Sequence, residues 1–275
     1  MIRALLFAVT VLAVPTQAAQ PAVAPRPVVV QGAMEIETAA LVARLEGARA
    51  ERVGEWTFWH GRIDGYPVIV SKTLKGVSNA AAATAVAIER YRPAAIVNQG
   101  TAGAVDPSLK LYDIVLGTEA VNLGAFKSPR RPVGAGSSTL DWVPLDLTAP
   151  DGSAAVSRKP ARFAADNSLL VIARAAKSRY TRGRIVEGVI GTSDMWNDEL
   201  DRLARMNQDY GTLVEEMETA SAAQVAAQMH VAFLGIRIVS DNAATAAAFD
   251  PKTAAACQDF AYDVLRAYIA QTVHR

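Results

Sequence analysis

A chain of 275 residues, 51% hydrophobic and 20% charged, has ordinary globular composition and enough length for one large core or two small ones. Its 28 Lys and Arg against 27 Asp and Glu leave a formal charge of +1, which excludes a broad basic surface for nucleic acid or an anionic membrane and points to a small or neutral partner. The one cysteine, Cys257, excludes an intrachain disulfide, so stability has to come from packing; in its alanine-rich stretch the thiol is expected to be buried and inert.

Met1-Ile2-Arg3, the apolar run Ala4 to Val14 and then Pro15-Thr16-Gln17-Ala18 follow the order of a secretory signal peptide, with Thr16 and Ala18 as the small residues before cleavage. The apolar run is shorter than the roughly 20 residues a bilayer core requires. The expected organisation is a signal peptide over 1–18, an extended proline-rich leader over 19–27 and a single folded domain over 28–275. That predicts a periplasmic or secreted protein with no membrane attachment after cleavage.

From Val28 onward, β-branched apolar runs alternate with alanine-rich helical stretches, the pattern of an α/β domain. In chain order the expected elements are a strand at 28–32, a helix at 36–46, strands at 55–60 and 66–71, and a helix at 78–91. Strands follow at 94–99 and 113–117, then a helix at 167–180, a strand at 184–190 and a helix at 197–208. A strand at 212–215, a helix at 217–229, a strand at 231–239 and a helix at 251–272 complete the series. Several strands are apolar throughout, which suggests sheets covered on both faces. Lys127 to Ala161, rich in Pro, Gly and Ser, reads as one long loop.

Four clusters fall at strand ends, where open α/β sheets place their ligands: Gly32 to Glu37, Asn98 to Gly103, Glu215 to Glu218, and Ser240-Asp241. Asp241 follows the buried run VAFLGIRIVS, so its carboxyl is either a proton donor raised by desolvation or a turn cap shared with Asn242. Arg237 within the same strand needs a partner, and Glu216 or Glu218 can supply it. Glu35 and Glu37 open a helix, where first-turn capping is also open to them. Gly100, Ala102 and Gly103 are expected to turn the backbone and let it approach a flat base or a sugar. His60, His230 and His274 have no metal-ligand spacing, and no cofactor is expected.

Taken together, GAMEIET at 32–38, NQGTAGAVDPSLKLYDIV at 98–115, VEEMETAS at 214–221 and RIVSDNA at 237–243 resemble the purine nucleoside phosphorylase/uridine phosphorylase superfamily, nearest to its methylthioadenosine/S-adenosylhomocysteine nucleosidase branch. The resemblance implies one three-layer α/β/α domain around a mixed sheet, assembled as a homodimer or larger homo-oligomer. It implies that Glu37 holds an attacking water with Met34 beside the sugar, that Glu218 grips ribose hydroxyls with Met217 packed on the ring, and that Asp241, after Ser240, protonates or hydrogen-bonds the base. Ser193 to Asn197 resembles the base-stacking segment, with Met195 where an aromatic residue is usual and Trp196 next to it. Phe249 is similar to a residue that closes over the 5′ substituent. The implied reaction is hydrolysis of a purine N-ribosidic bond, in a nucleoside such as 5′-methylthioadenosine or S-adenosylhomocysteine. A phosphate-dependent phosphorylase and an exported nucleoside-binding or storage protein remain the alternatives.

Overall fold

The computed structural model describes residues 24–148 and 159–273, so the expected signal peptide and most of the leader lie outside the described residues. The strands are β1 (Val28–Gly32), β2 (Glu46–Val53), β3 (Trp56–Ile63), β4 (Tyr66–Lys72), β5 (Ala95–Ala104), β6 (Ile114–Asn122), β7 (Phe126–Lys127), β8 (Val143–Pro144), β9 (Arg162–Ala164), β10 (Ile185–Thr192), β11 (Thr212–Glu216) and β12 (Ala232–Asp241). The helices are α1 (Ala39–Val42), α2 (Val77–Tyr91), α3 (Asn167–Ala176), α4 (Leu200–Tyr210), α5 (Thr219–Gln228) and α6 (Thr253–Val273). None is long and apolar enough to cross a membrane.

The main sheet runs β11-β10-β6-β12-β5-β1-β4-β3-β2, parallel around β1 and antiparallel toward the β2 edge. Period-two alternation explains why its central strands are apolar throughout. In β1, Val28 and Val30 pack with α3 and α6 residues such as Leu170, Phe260 and Val264, while Val29 faces the other way, onto Ala87 of α2 and Ala223 of α5. Both faces are therefore covered, and the expected three-layer α/β/α domain with a mixed sheet is what forms.

Several features depart from the sequence expectation, among them the unanticipated strand β2. The strand expected at 94–99 does not turn at its glycines but continues to Ala104, where its second half pairs with β12 on one side and antiparallel with β11 on the other. Since β11 also pairs β10, the strands β5, β12, β6, β10 and β11 close into a ring, filled by Ala102, Ala104, Val115, Ile190, Val214 and Val239. The helix expected at 36–46 is instead a 3-10 turn, Glu35–Glu37, followed by the four-residue α1. Thr38, at φ −124°, breaks it, and Glu37 uses its side chain on the backbone preceding it rather than on a longer helix.

The loop expected from Lys127 to Ala161 is partly ordered: β7 and β8 form a short hairpin, with residues 149–158 outside the described part. Cys257 is buried in α6, its thiol directed at the Gly100 carbonyl and pushed by burial up to about 12.

Candidate active site

The ring and the neighbouring strand β1 end at one cavity of about 210 Å³, into which all four clusters from the sequence converge. Glu37 enters from the 3-10 turn after β1 and is 3% exposed. Its Oε2 accepts the amides of Ala33 (2.9 Å) and Met34 (3.1 Å), and its Oε1 accepts the amide and hydroxyl of Thr101 (both 2.9 Å). Four donors around a group with about four lone-pair sites orient the carboxylate from two separate strand ends. The approach requires glycine at 100, where an added Cβ would lie 2.7 Å from Glu37 Oε1.

Asp241 closes β12 on the far side of the same strand. Gly103 leaves it space, since a Cβ there would meet Asp241 Oδ2 at 2.9 Å. Ser240 Oγ, itself 1% exposed, donates to Asp241 Oδ1 at 2.8 Å. Burial raises the Asp241 carboxyl above its ordinary value, the Ser240 hydrogen bond opposes this and Asp198 adds to it. Capping of the following turn is done by Asn242, whose side chain accepts from the Thr245 amide, so Asp241 is left facing the cavity.

Between the two lies the acidic run at the β11–α5 junction, and its three glutamates separate into three situations. Glu216 is the partner of Arg237, which donates to Glu216 Oε2 from Nε at 3.0 Å and from Nη2 at 2.5 Å. Glu216 also accepts the Thr192 hydroxyl and the Glu218 and Thr219 amides. Among the described residues the Glu218 carboxyl has one hydrogen-bonded partner, the Gly76 amide at 2.9 Å on Oε1, and its Oε2 stands 4.0 Å from Arg237. Burial, with the nearby charges of Glu216 and Glu37, raises its carboxyl well above the usual range against the pull of Arg237. Glu215 accepts the Asn197 amide at 3.0 Å and the Asn197 side-chain amide at 2.5 Å.

Every residue expected at the site lines this cavity: Glu37 and Asp241; Met34, Met217 and Glu218; Ala102, Gly103 and Ser240; Met195, Trp196 and Phe249. Trp196 and Phe249 meet edge to face, ring centroids 6.1 Å apart, and both stay exposed at the mouth beside Met195. Asp194 ties this segment to the start of α2 by accepting the Val77 amide at 2.9 Å. Ala33, Lys75, Thr101, Glu215 and Glu216 also line the cavity without having been singled out for it. Thr101 and the two glutamates lie in the flagged clusters. Lys75 follows β4, and only its place after a strand's carboxyl end marks it.

Because Arg237 is 2% exposed, Arg237→Ala leaves the Glu216 charge buried without its counter-ion. The expected loss of folding stability is about 3–5 kcal/mol, measured by urea denaturation; a loss below about 1 kcal/mol would mean that the hydroxyl and amide donors suffice.

The comparisons with known proteins agree with this geometry. The model of the phosphorylase superfamily matches residues 27–270. A 5′-methylthioadenosine/S-adenosylhomocysteine nucleosidase of Bacillus thuringiensis (strain Al Hakam) is 32% identical over 221 residues, which is 78% of this chain and 86% of the relative. Among solved structures, the 5′-methylthioadenosine/S-adenosylhomocysteine nucleosidase of Neisseria meningitidis in complex with methylthio-immucillin-A aligns with TM-score 0.72 and 27% identity, over 88% of this chain and 99% of that one. The corresponding nucleosidase of Colwellia psychrerythraea 34H in complex with adenine aligns with TM-score 0.70 and 26% identity, over 88% and 96% of the two chains. With a family match spanning β1 to α6 and a cavity built from the same ordered motifs, this chain belongs to the phosphorylase superfamily.

Proposed function

We propose that the chain is an N-ribosyl hydrolase that cleaves a purine nucleoside of the methylthioadenosine or S-adenosylhomocysteine kind and releases the free base. The observation that carries this reading is that two carboxyl groups in unlike surroundings face one cavity: Glu37, an acceptor ringed by donors, and Asp241, raised toward its acid form by burial. Acid and base at opposite ends of a scissile bond is the logic of glycoside hydrolysis.

In this assignment Asp241 gives its proton to N7 of the purine while the N9–C1′ bond breaks and its electron pair goes to the base. Water then forms the new bond to C1′ and passes its proton to Glu37. Of the four donors on Glu37, only the Thr101 hydroxyl can rotate away, which makes its position the place for that water. Glu218, with one protein hydrogen bond on its carboxyl, accepts the ribose hydroxyls. Met34 and Met217 flank the sugar, Ala102 and Gly103 leave room for the flat base, and Trp196 with Phe249 covers the base and 5′ substituent. Ser240 holds Asp241 in place.

The electrostatics favour water over phosphate as the nucleophile. Among the described lining residues Lys75 is the one cation, and Glu37 is a carboxylate where the nucleophile has to stand. Two like charges 4 Å apart repel by about 4 kcal/mol at an effective dielectric of ~20. Incubation with methylthioadenosine, adenosine or inosine should yield free base and free sugar, at a rate that added phosphate does not raise, and Glu37→Gln should be severely impaired. Ribose 1-phosphate as main product, with a rate climbing with phosphate, overturns this reading.

Replacing the acid without changing its shape isolates the proton. Asp241→Asn should lose about a hundred-fold to ten-thousand-fold in kcat while keeping substrate affinity. Gly100→Ala, which pushes on Glu37 Oε1 from 2.7 Å, should cost about a hundred-fold in kcat. Stopped-flow or coupled assays of adenine release read both; an unchanged kcat in either variant removes that carboxylate from the chemistry.

The proposal extends to location and assembly. The first residues favour export with cleavage near Ala19, and the exposed Val133, Leu140 and Leu147 of the 127–148 segment offer apolar surface for a second copy of this chain. Amino-terminal sequencing of the protein from its native cell should start near Ala19; an intact Met1 on a cytosolic protein ends the export proposal.

A further inference from the structure

The chemistry above leaves one cavity carboxyl without a task. Glu215 on β11 lies in register with Gly103, and Asp241 on β12 lies in register with the same Gly103 from the other side. Both acids therefore rise from the two strands that flank β5 where it borders the cavity.

Glu215 is also fixed in direction. Asn197 presents its backbone amide to Oε1 and its side-chain amide to Oε2, at 3.0 and 2.5 Å. Asn197 is oriented in turn by the nearly buried Arg202 of α4, whose Nε donates to Asn197 Oδ1 at 2.6 Å. The Arg202 guanidinium lies 5.6 Å from the ring centroid of Phe126 and 5.9 Å from that of Trp142, the aromatic residues at the base of the β7–β8 hairpin. The long segment after β6 therefore braces a chain of contacts that ends at a carboxyl in the cavity wall.

We propose that Glu215 reads the six-membered ring of the purine and that its protonation state chooses the class of base. As a carboxylic acid it donates to N1 and accepts from the 6-amino group of an aminopurine. As a carboxylate it accepts the N1–H of a 6-oxopurine and cannot serve the aminopurine's N1. This rests on the assignment of Asp241 to N7; N1 and N7 flank C6 on adjacent edges of the purine, so acids on the two strands flanking β5 address adjacent edges of one base.

The surroundings place the exchange in an accessible range. Burial pushes the Glu215 carboxyl up to about 7, the two Asn197 hydrogen bonds and the Arg202 charge pull it down, and Asp241 on β12 pushes it further up. On its own strand and the turn after it, the charged neighbours Glu216 and Glu218 stand against Arg237. The acid form prevails below that range, so the aminopurine is favoured as pH falls and the oxopurine as pH rises.

The test is the ratio of kcat/KM for adenosine to kcat/KM for inosine, each with the same 5′ group, from pH 5.5 to 8.5. Both bases offer Asp241 the same N7, so its titration cancels from the ratio. In the unmodified protein the ratio should fall about tenfold per pH unit. In Glu215→Gln, whose amide imitates the neutral acid, it should be high and independent of pH. A flat ratio in the unmodified protein, or a slope that persists in the variant, overturns the proposal. If neither nucleoside is cleaved, the hydrolase reading fails while this one is still decided by calorimetry with the free bases. Adenine should then gain affinity over hypoxanthine as pH falls in the unmodified protein and not in the variant, and equal pH dependence of the two bases overturns it.

Discussion

The buried ion pair of Arg237 and Glu216 is the constraint from which the site is built. A guanidinium in the middle of a covered strand is tolerated only with its hydrogen bonds made and its charge answered. Arg237 meets this by donating to Glu216 of β11 and to both oxygens of Asn98 on β5, while Glu216 also takes the Thr192 hydroxyl from β10. Four strands of the ring are thereby joined through one polar cluster beneath the cavity. From Asn98 the network continues to Gln31 and Thr84, reaching α2 across the sheet. By accepting the Thr219 amide, Glu216 also opens α5 and sets where Glu218 emerges. The same positive charge lies beneath Glu218 and moderates the repulsion among the acids that line the cavity.

Above this floor, glycine decides how closely carboxylates approach the backbone. Positions 100 and 103 face different elements, and each is occupied, where a side chain would begin, by a carboxylate oxygen from elsewhere in the chain: Glu37 at one and Asp241 at the other. The two groups are thus held apart along a single strand. Their separation is a property of β5, one of the most enclosed elements of the fold, rather than of a loop, and preorganisation of this kind is what allows acid and base to act without rearrangement.

Much of this was legible in the sequence because burial on both faces writes itself as apolar runs: β1, β5 and β12 each open on one, at Val28–Val30, Ala95–Val97 and Ala232–Ile236. Charged β2 was not legible, since the stretch Glu46–Val53 has no apolar face to declare a strand and is paired on one side only. Ring closure was hidden for a related reason: glycines at 100 and 103 signal a turn locally, and their accommodation of two carboxylates is a tertiary fact. The shortened first helix follows the same rule, for Glu37 is drawn from helix continuation to the amides of Ala33 and Met34. Motifs identified Glu37, Glu218 and Asp241 as residue types in order. They did not identify Lys75, alone in its loop, or distinguish Glu215 from its two acidic neighbours, because only the direction of each side chain separates their situations.

Closure of β11 onto β5 also changes the boundary of the sheet. An open sheet has two lateral margins, each a row of unpaired amides and carbonyls able to recruit another chain. Here one margin has been folded away into the ring; apart from the three-residue β9 on β6, the free margin is β2, whose Glu46, Arg49, Glu51 and Arg52 line it with charges of both signs. The long free margin of the sheet thus lies where strand-on-strand aggregation is least favoured.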